Sequence, residues 1–170
     1  MHIHLIGSMC AGKSRVGRDL ALLLQLPFLD LDRVIEQRVG AIKPFFEREG
    51  EEAFRAIEAV VLNELIQGPR AVIATGGGTP CSGDNLQRMV DTGTVVWLDV
   101  PLAVLMPRII RAGGDRPLLA GLKGDALQQR VESLLAERRP IYAKADVAVD
   151  GSGTPQQVAE LIRSALDQVR

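Results

Sequence analysis

Short apolar runs alternate with longer stretches of helical period along this chain. The runs occupy residues 2–6, 28–31, 71–74, 94–99 and 146–149, each the length of one strand. Between them, residues 13–25, 51–66, 84–90, 102–111 and 126–141 repeat apolar positions at helical spacing, which predicts helices. A last helix is predicted over 155–169, with Val158, Leu161, Ile162, Ala165 and Val169 on its apolar stripe. Strand–helix alternation of this kind predicts an α/β fold with a parallel sheet covered on both faces. No internal repeat and no low-complexity linker interrupts it, so residues 1–170 are read as one domain.

Residues 111–125, RAGGDRPLLAGLKGD, depart from the pattern. They are too long and too rich in glycine for a simple helix connection, and read as either a mobile lid or a disordered insertion. Leu118, Leu119 and Leu122 favour a segment that docks onto something.

Composition narrows the function more than the fold. With 20 basic and 21 acidic residues the net charge is −1, which gives no electrostatic case for nucleic acid or an anionic membrane. Aromatic residues are only 4%, too few for a stacking platform on single strands. No apolar run approaches the roughly 18 residues of a membrane span, and MHIHLIGSMC lacks the pattern of a signal peptide. Cytoplasmic residence is the expectation, with Cys10 and Cys81 reduced rather than paired.

The sharpest chemical signal is GSMCAGKS at 7–14, a match to G-x-x-x-x-G-K-[ST] between a predicted strand and a predicted helix. Gly7 and Gly12 allow the loop, which includes Cys10 and Ala11, to turn its N–H groups toward phosphate oxygens at a helix N-terminus. Lys13 is placed to reach the β- and γ-phosphates, and the Ser14 hydroxyl to ligate Mg²⁺. Cys10 is either a passive small loop residue or a thiol sensitised by the helix terminus. His2 and His4 read as strand histidines rather than a metal pair, because no further ligands accompany them.

In a nucleotide-binding chain, a second strand is expected to end in a metal-holding aspartate, yet AVIATGGGTP at 71–80 ends in three glycines. The carboxylates lie instead in FLDLD, where extended geometry puts Asp30 and Asp32 on one side. One such acid can hold Mg²⁺ and the other can accept the proton of a substrate hydroxyl. Asp32 is also placed to cap a helix starting at Arg33, a reading that fails for Asp30. Arg55 stands three residues before Glu58 at the edge of an apolar stripe, Arg116 in the candidate lid, and Arg138 in line with the stripe of its helix. Taken singly each arginine reads as solvated or structural; together they suggest an anionic substrate.

The ordered set GSMCAGKS, LDLD followed by RVIE, GEEAFRAIE, ATGGGTP, GDRPLL and ERRPIY resembles the shikimate kinase family over essentially the whole chain. The resemblance implies a P-loop kinase fold, an α/β architecture whose five-stranded parallel sheet has the order 2-3-1-4-5, flanked by helices and with a lid at about 112–124. It implies transfer of the γ-phosphoryl of ATP to the 3-hydroxyl of shikimate, on the route to chorismate and aromatic amino acids. ATP and Mg²⁺ are the implied cofactors, shikimate the small-molecule partner, and a monomer the implied state.

By the same resemblance, Asp30 and Ser14 hold the metal, while Lys13, Asp32 and Arg116 are catalytic, with Asp32 as the base. Gly7, Cys10, Ala11, Gly12, Lys13, Ser14, Arg15, Arg111, Arg116 and Pro155 take the nucleotide, Arg111 and Pro155 flanking adenine. Asp32, Arg55, Gly76, Gly77, Gly78 and Arg138 take shikimate, the arginines its carboxylate, with Phe46 and Phe54 near the ring. Lys43-Pro44 departs from the family pattern and is expected to re-angle the start of the substrate region. The lid also looks short ahead of Arg116. Two alternatives stay in view: a gluconate-type kinase on the same scaffold, and a sensor that binds ligand without turnover.

Overall fold

The computed structural model describes residues 1–113 and 116–168. In chain order they form β1 (His2–Ile6), α1 (Lys13–Leu24), β2 (Phe28–Asp30), α2 (Leu31–Val39), α3 (Ile42–Ile66) and β3 (Val72–Ala74). There follow α4 (Asn85–Thr92), β4 (Gly93–Asp99), α5 (Leu102–Ala112), α6 (Gly124–Tyr142), β5 (Val147–Asp150) and α7 (Pro155–Gln168). The strands form one parallel five-stranded sheet of order β2-β3-β1-β4-β5.

Burial on both faces follows from the side-chain alternation of β4. Val96 and Leu98 join Ile3, Leu5, Val16, Leu20, Val158 and Ile162 in one core, on the side of α1 and α7. Val95 and Trp97 point the other way, into a second core with Ile6, Leu31, Ile35, Val61 and Leu62. β1 is central, and the connections that leave the carboxyl ends of β1 and β3 run in opposite directions along the sheet, to β2 and to β4. The carboxyl ends of β1, β2 and β3 therefore open onto a crevice at the switch in strand order, where α/β sheets bind ligands.

The fold corrects the reading of FLDLD. β2 stops at Asp30, whose side chain caps α2 by accepting the Arg33 N–H at 3.4 Å. Asp32 already belongs to the first helical turn. The cap is thus made by Asp30 rather than Asp32, and the two acids converge through a strand-to-helix turn, not through the two-residue period of a strand. Pro44 lies in the first turn of α3, where its missing N–H has no helical partner to lose. The bend expected near Lys43-Pro44 lies instead at Gly50, whose φ of 85° and ψ of 173° break the helix.

Of the expected lid, Gly114 and Asp115 lie outside the described residues, as does Val169 of the last helix. The remainder docks: Leu119 is buried, and Leu118 and Leu122 pack beside it against the first core. Leu161, placed by sequence on the apolar stripe of α7, is largely exposed. Among the described residues no helix is long and apolar enough to cross a membrane. Cys10 and Cys81 are free thiols.

Both histidines of β1 are buried. His2 donates from Nε2 to the Ile66 carbonyl at 3.0 Å. His4 donates from Nε2 to the Thr92 hydroxyl at 3.2 Å, while that hydroxyl donates to the Arg88 carbonyl at 2.7 Å. Each ring leaves Nδ1 without a hydrogen-bond partner, so a proton there is unsolvated. Burial, aided by repulsion from His2, pushes His4 down to about 3 from an ordinary 6.5. Because the folded pKa lies below the unfolded one, the unfolded state binds the extra proton between those values. Stability is therefore complete above about pH 6.5 and falls on acidification, by up to about 1.4 kcal/mol per pH unit from this group. Urea unfolding from pH 7 to pH 5 is expected to show a shallower pH dependence in His4→Asn than in the parent; identical slopes would remove His4 as the cause.

Candidate active site

The loop from β1 to α1 is shaped by positive-φ backbone. Gly7 has φ 138°, and a Cβ there would lie 2.7 Å from the Leu98 carbonyl oxygen. Gly12, with φ 95°, is the N-terminal cap of α1. Inside the loop, the Lys13 ammonium donates to the carbonyls of Gly7 at 2.8 Å and Ser8 at 2.7 Å. It is buried, and this burial holds it down at about 8 despite the nearby Asp32 carboxylate. One residue on, Ser14 donates from Oγ to Asp30 Oδ2 at 2.6 Å, joining the first turn of α1 to the end of β2.

A cavity of about 570 Å³ opens over this loop, lined by Cys10, Ala11, Gly12, Lys13, Ser14 and Arg15. Arg111, Arg116 and Pro155 lie on the same wall, so the sequence-expected nucleotide residues come together. Gly7 stands apart from that lining, behind the loop and against β4. Arg108 was not foreseen. Its guanidinium donates at 3.4 Å to the carbonyls of Cys10 and Ala11 on one side and of Gly151 and Ser152 on the other. Its spacing of three from Arg111 on α5, and hence a shared helix face, was the available signal.

A second cavity, of about 700 Å³, adjoins the first through Ser14, Asp30, Asp32, Gly76, Gly77 and Arg116. Asp32, Phe46, Phe54, Arg55, Gly76, Gly77, Gly78 and Arg138 all line it, which is every residue the sequence assigned to the acceptor. The Phe46 and Phe54 rings meet at 5.7 Å between centroids, and the Arg55 guanidinium lies 5.3 Å from the Phe54 centroid. This cavity is thus half apolar wall and half charge.

Its charges are fixed by a residue the sequence reading treated only as a neighbour. Glu58 is fully buried and accepts from Arg55 Nη1 at 2.8 Å and from the Thr79 hydroxyl. An acid in register with Phe54, Val61 and Leu62 on the buried stripe of α3 was the signal. Asp32 lies close enough for the two carboxylates to repel. Burial first, and Glu58 second, lift Asp32 to about 6, partly offset by Lys13. Arg116 bears on both Lys13 and Asp32, and its buried Nε has no protein partner.

The three glycines are explained by crowding. A Cβ on Gly76 would lie 2.8 Å from Glu58 Oε1, and one on Gly78 would lie 2.5 Å from an Arg55 nitrogen. On Gly77 it would meet Arg138 Nη1 and the Met9 amide, both at 3.2 Å. The bare backbone thus makes room for the charged groups as well as for a substrate.

Among the described residues no three His, Cys, Asp or Glu side chains gather as a metal-ligand cluster. The Ser14 hydroxyl and Asp30 carboxylate form a sparse, all-oxygen pair beside the phosphate loop. Such a donor set fits Mg²⁺, which commonly takes one or two protein ligands and completes its shell with water and phosphate.

Comparison with known proteins agrees with this geometry. The family model described as shikimate kinase matches residues 9–167. A shikimate kinase of Gloeobacter violaceus is 48% identical over 162 residues, covering 93% of this chain and 88% of that protein. The solved structure of the Acinetobacter baumannii shikimate kinase in complex with shikimate superposes with a TM-score of 0.91 at 38% identity, covering 98% of this chain and 93% of that one. A gluconokinase of Sinorhizobium meliloti aligns over 99% of this chain and 92% of its own with a TM-score of 0.67 at 15% identity, a likeness of fold alone. With the family model matching residues 9–167 and relatives of this identity over most of its length, the chain belongs to the shikimate kinase family.

Proposed function

We propose that this protein transfers the γ-phosphoryl group of ATP to the 3-hydroxyl of shikimate, giving shikimate 3-phosphate and ADP. The observation that carries the reading is one continuous crevice. A phosphate loop lies at one end, two arginines beside a glycine wall at the other, and a carboxylate between them. Arg55 and Arg138 suit a carboxylate, since a planar guanidinium offers paired donors. Phe46 and Phe54 offer an apolar face to a carbon ring. Asp32 accepts the hydroxyl proton as that oxygen attacks the γ-phosphorus and ADP departs. Lys13 and Arg116 balance the charge that spreads over the transferred group. Ser14 and Asp30 would hold Mg²⁺, which screens phosphate charge when bound. Arg111 and Pro155 flank the adenine.

In this reading residues 1–170 act as a single domain and a monomer in the cytoplasm, with the described residues of segment 112–124 serving as the lid. A gluconate-type substrate is disfavoured by the Arg55, Arg138 and glycine set, and a turnover-free sensor by the presence of Lys13, Asp32 and Arg116 together.

ADP release measured across a panel of hydroxy acids is expected to require both shikimate and Mg²⁺; faster turnover of quinate or gluconate would reassign the acceptor. Arg138→Ala is expected to raise the shikimate KM by about tenfold or more, the loss of a charge-assisted hydrogen bond worth roughly 1.5–3 kcal/mol. An unchanged KM would take Arg138 out of the carboxylate site. Since a base works only when deprotonated, and Asp32 sits at about 6, kcat/KM is expected to decline about tenfold per pH unit below that value. Asp32→Asn should lower kcat by about a hundredfold or more. Retention of kcat within a few-fold in that variant would rule Asp32 out as the base.

A further inference from the structure

The glycine wall has a tether that the chemistry above does not use. Three adjacent residues without side chains have no packing of their own to hold them in one conformation. Two of their carbonyls are held locally: Gly76 accepts from the Thr79 N–H at 3.2 Å and Gly78 from the Cys81 N–H at 3.0 Å. The middle one is held from another element. Tyr142, at the end of α6, donates its hydroxyl to the Gly77 carbonyl at 2.6 Å. The ring is almost fully buried, and the indole of Trp97 packs against it at 5.9 Å between centroids.

Tyr142 lies one helical turn beyond Arg138, so both project from the same face of α6. The Arg138 guanidinium lies beside the Tyr142 hydroxyl and also faces the Cα of Gly77. At the same point Gly77 also abuts the Met9 amide and the Gly7 carbonyl of the phosphate loop. A single hydroxyl therefore ties the helix that carries the cation to the wall that faces the acceptor, next to the phosphate loop.

We infer that Tyr142 is a positioning residue for the acceptor site: its hydroxyl fixes the Gly77 peptide relative to Arg138, so that wall and guanidinium meet the substrate carboxylate at one set spacing. This rests on the assignment of Arg138 and Gly77 to the acceptor. The hydroxyl touches no reacting atom, and its effect falls on acceptor binding rather than on the nucleotide or the chemical step.

Tyr142→Phe removes one oxygen and keeps the ring. Steady-state kinetics well below both melting midpoints are expected to show a shikimate KM raised about five- to twentyfold, the range for loss of a buried hydrogen bond. The KM for ATP should stay within twofold and kcat within threefold. A purely structural role would lower Tm and leave the shikimate KM in place, and that result overturns the inference, as does a parallel rise in both KM values. In a double variant with Arg138→Ala, the two KM effects should combine to less than their product, because the tyrosine acts through a group already removed. A full product overturns it too. If Arg138→Ala raises the shikimate KM and Tyr142→Phe does not, only the role of Tyr142 fails. If Arg138→Ala itself has no effect, the acceptor assignment fails first.

Discussion

Lack of room at the end of β3 governs the site. Over Gly76, Gly77 and Gly78 lie a buried carboxylate, two guanidinium groups and the backbone of the phosphate loop, each too close to admit a methyl group without displacement. A side chain at Gly76 or Gly78 would have to push aside the end of a charged side chain, Glu58 or Arg55, rather than a solvent molecule. Gly76 and Gly77 are where the two cavities come into contact.

Glu58 anchors the charges gathered there. A carboxylate with no exposure is tolerable only when paired and hydrogen-bonded, and Arg55 and Thr79 meet that need. In doing so it orients Arg55 and repels the charge of Asp32. The same burial and charge act in opposite senses on neighbouring groups. Asp32 is held up near 6, where it can exchange a proton, and Lys13 down near 8, where it stays mostly protonated at neutral pH. A phosphate arriving beside Lys13 favours the charged ammonium further. The lysine meanwhile straps its own loop through Gly7 and Ser8.

Sheet order decides which of these groups can meet. With β1 between β3 and β4, and β3 between β1 and β2, the phosphate loop, the glycine wall and the two acids leave three adjacent strands at one edge. Ser14 and Asp30 join the outer two of these groups, the start of α1 and the end of β2, with a hydrogen bond. α3 and α6 then bring Arg55 and Arg138 in from opposite ends of the sequence. Arg108 links the loops on the nucleotide side, and Tyr142 links α6 to the wall on the acceptor side.

The alternation of short apolar runs with helical stripes was enough for the five strands, a doubly covered sheet and the helices other than α2 and the start of α3, because those periods reflect backbone geometry directly. The phosphate loop was legible for the same reason, since its glycines answer to local φ values. That Arg55, the three glycines and Arg138 share one cavity was legible through resemblance to a family, their separate signals being weak. Local pattern failed where one residue does two jobs: Asp30 both ends a strand and caps a helix, and the capping pattern ahead of RVIE pointed to Asp32 instead. It also failed for Glu58, Arg108 and Tyr142, whose partners lie across the fold. Their roles depend on burial and on hydrogen bonds between distant elements, and those exist only once the chain has closed on itself. The sequence determined which chemical groups stand at which turns; the tertiary structure decided which of them share a cavity, what charge each holds there, and why three residues at its centre have no side chain.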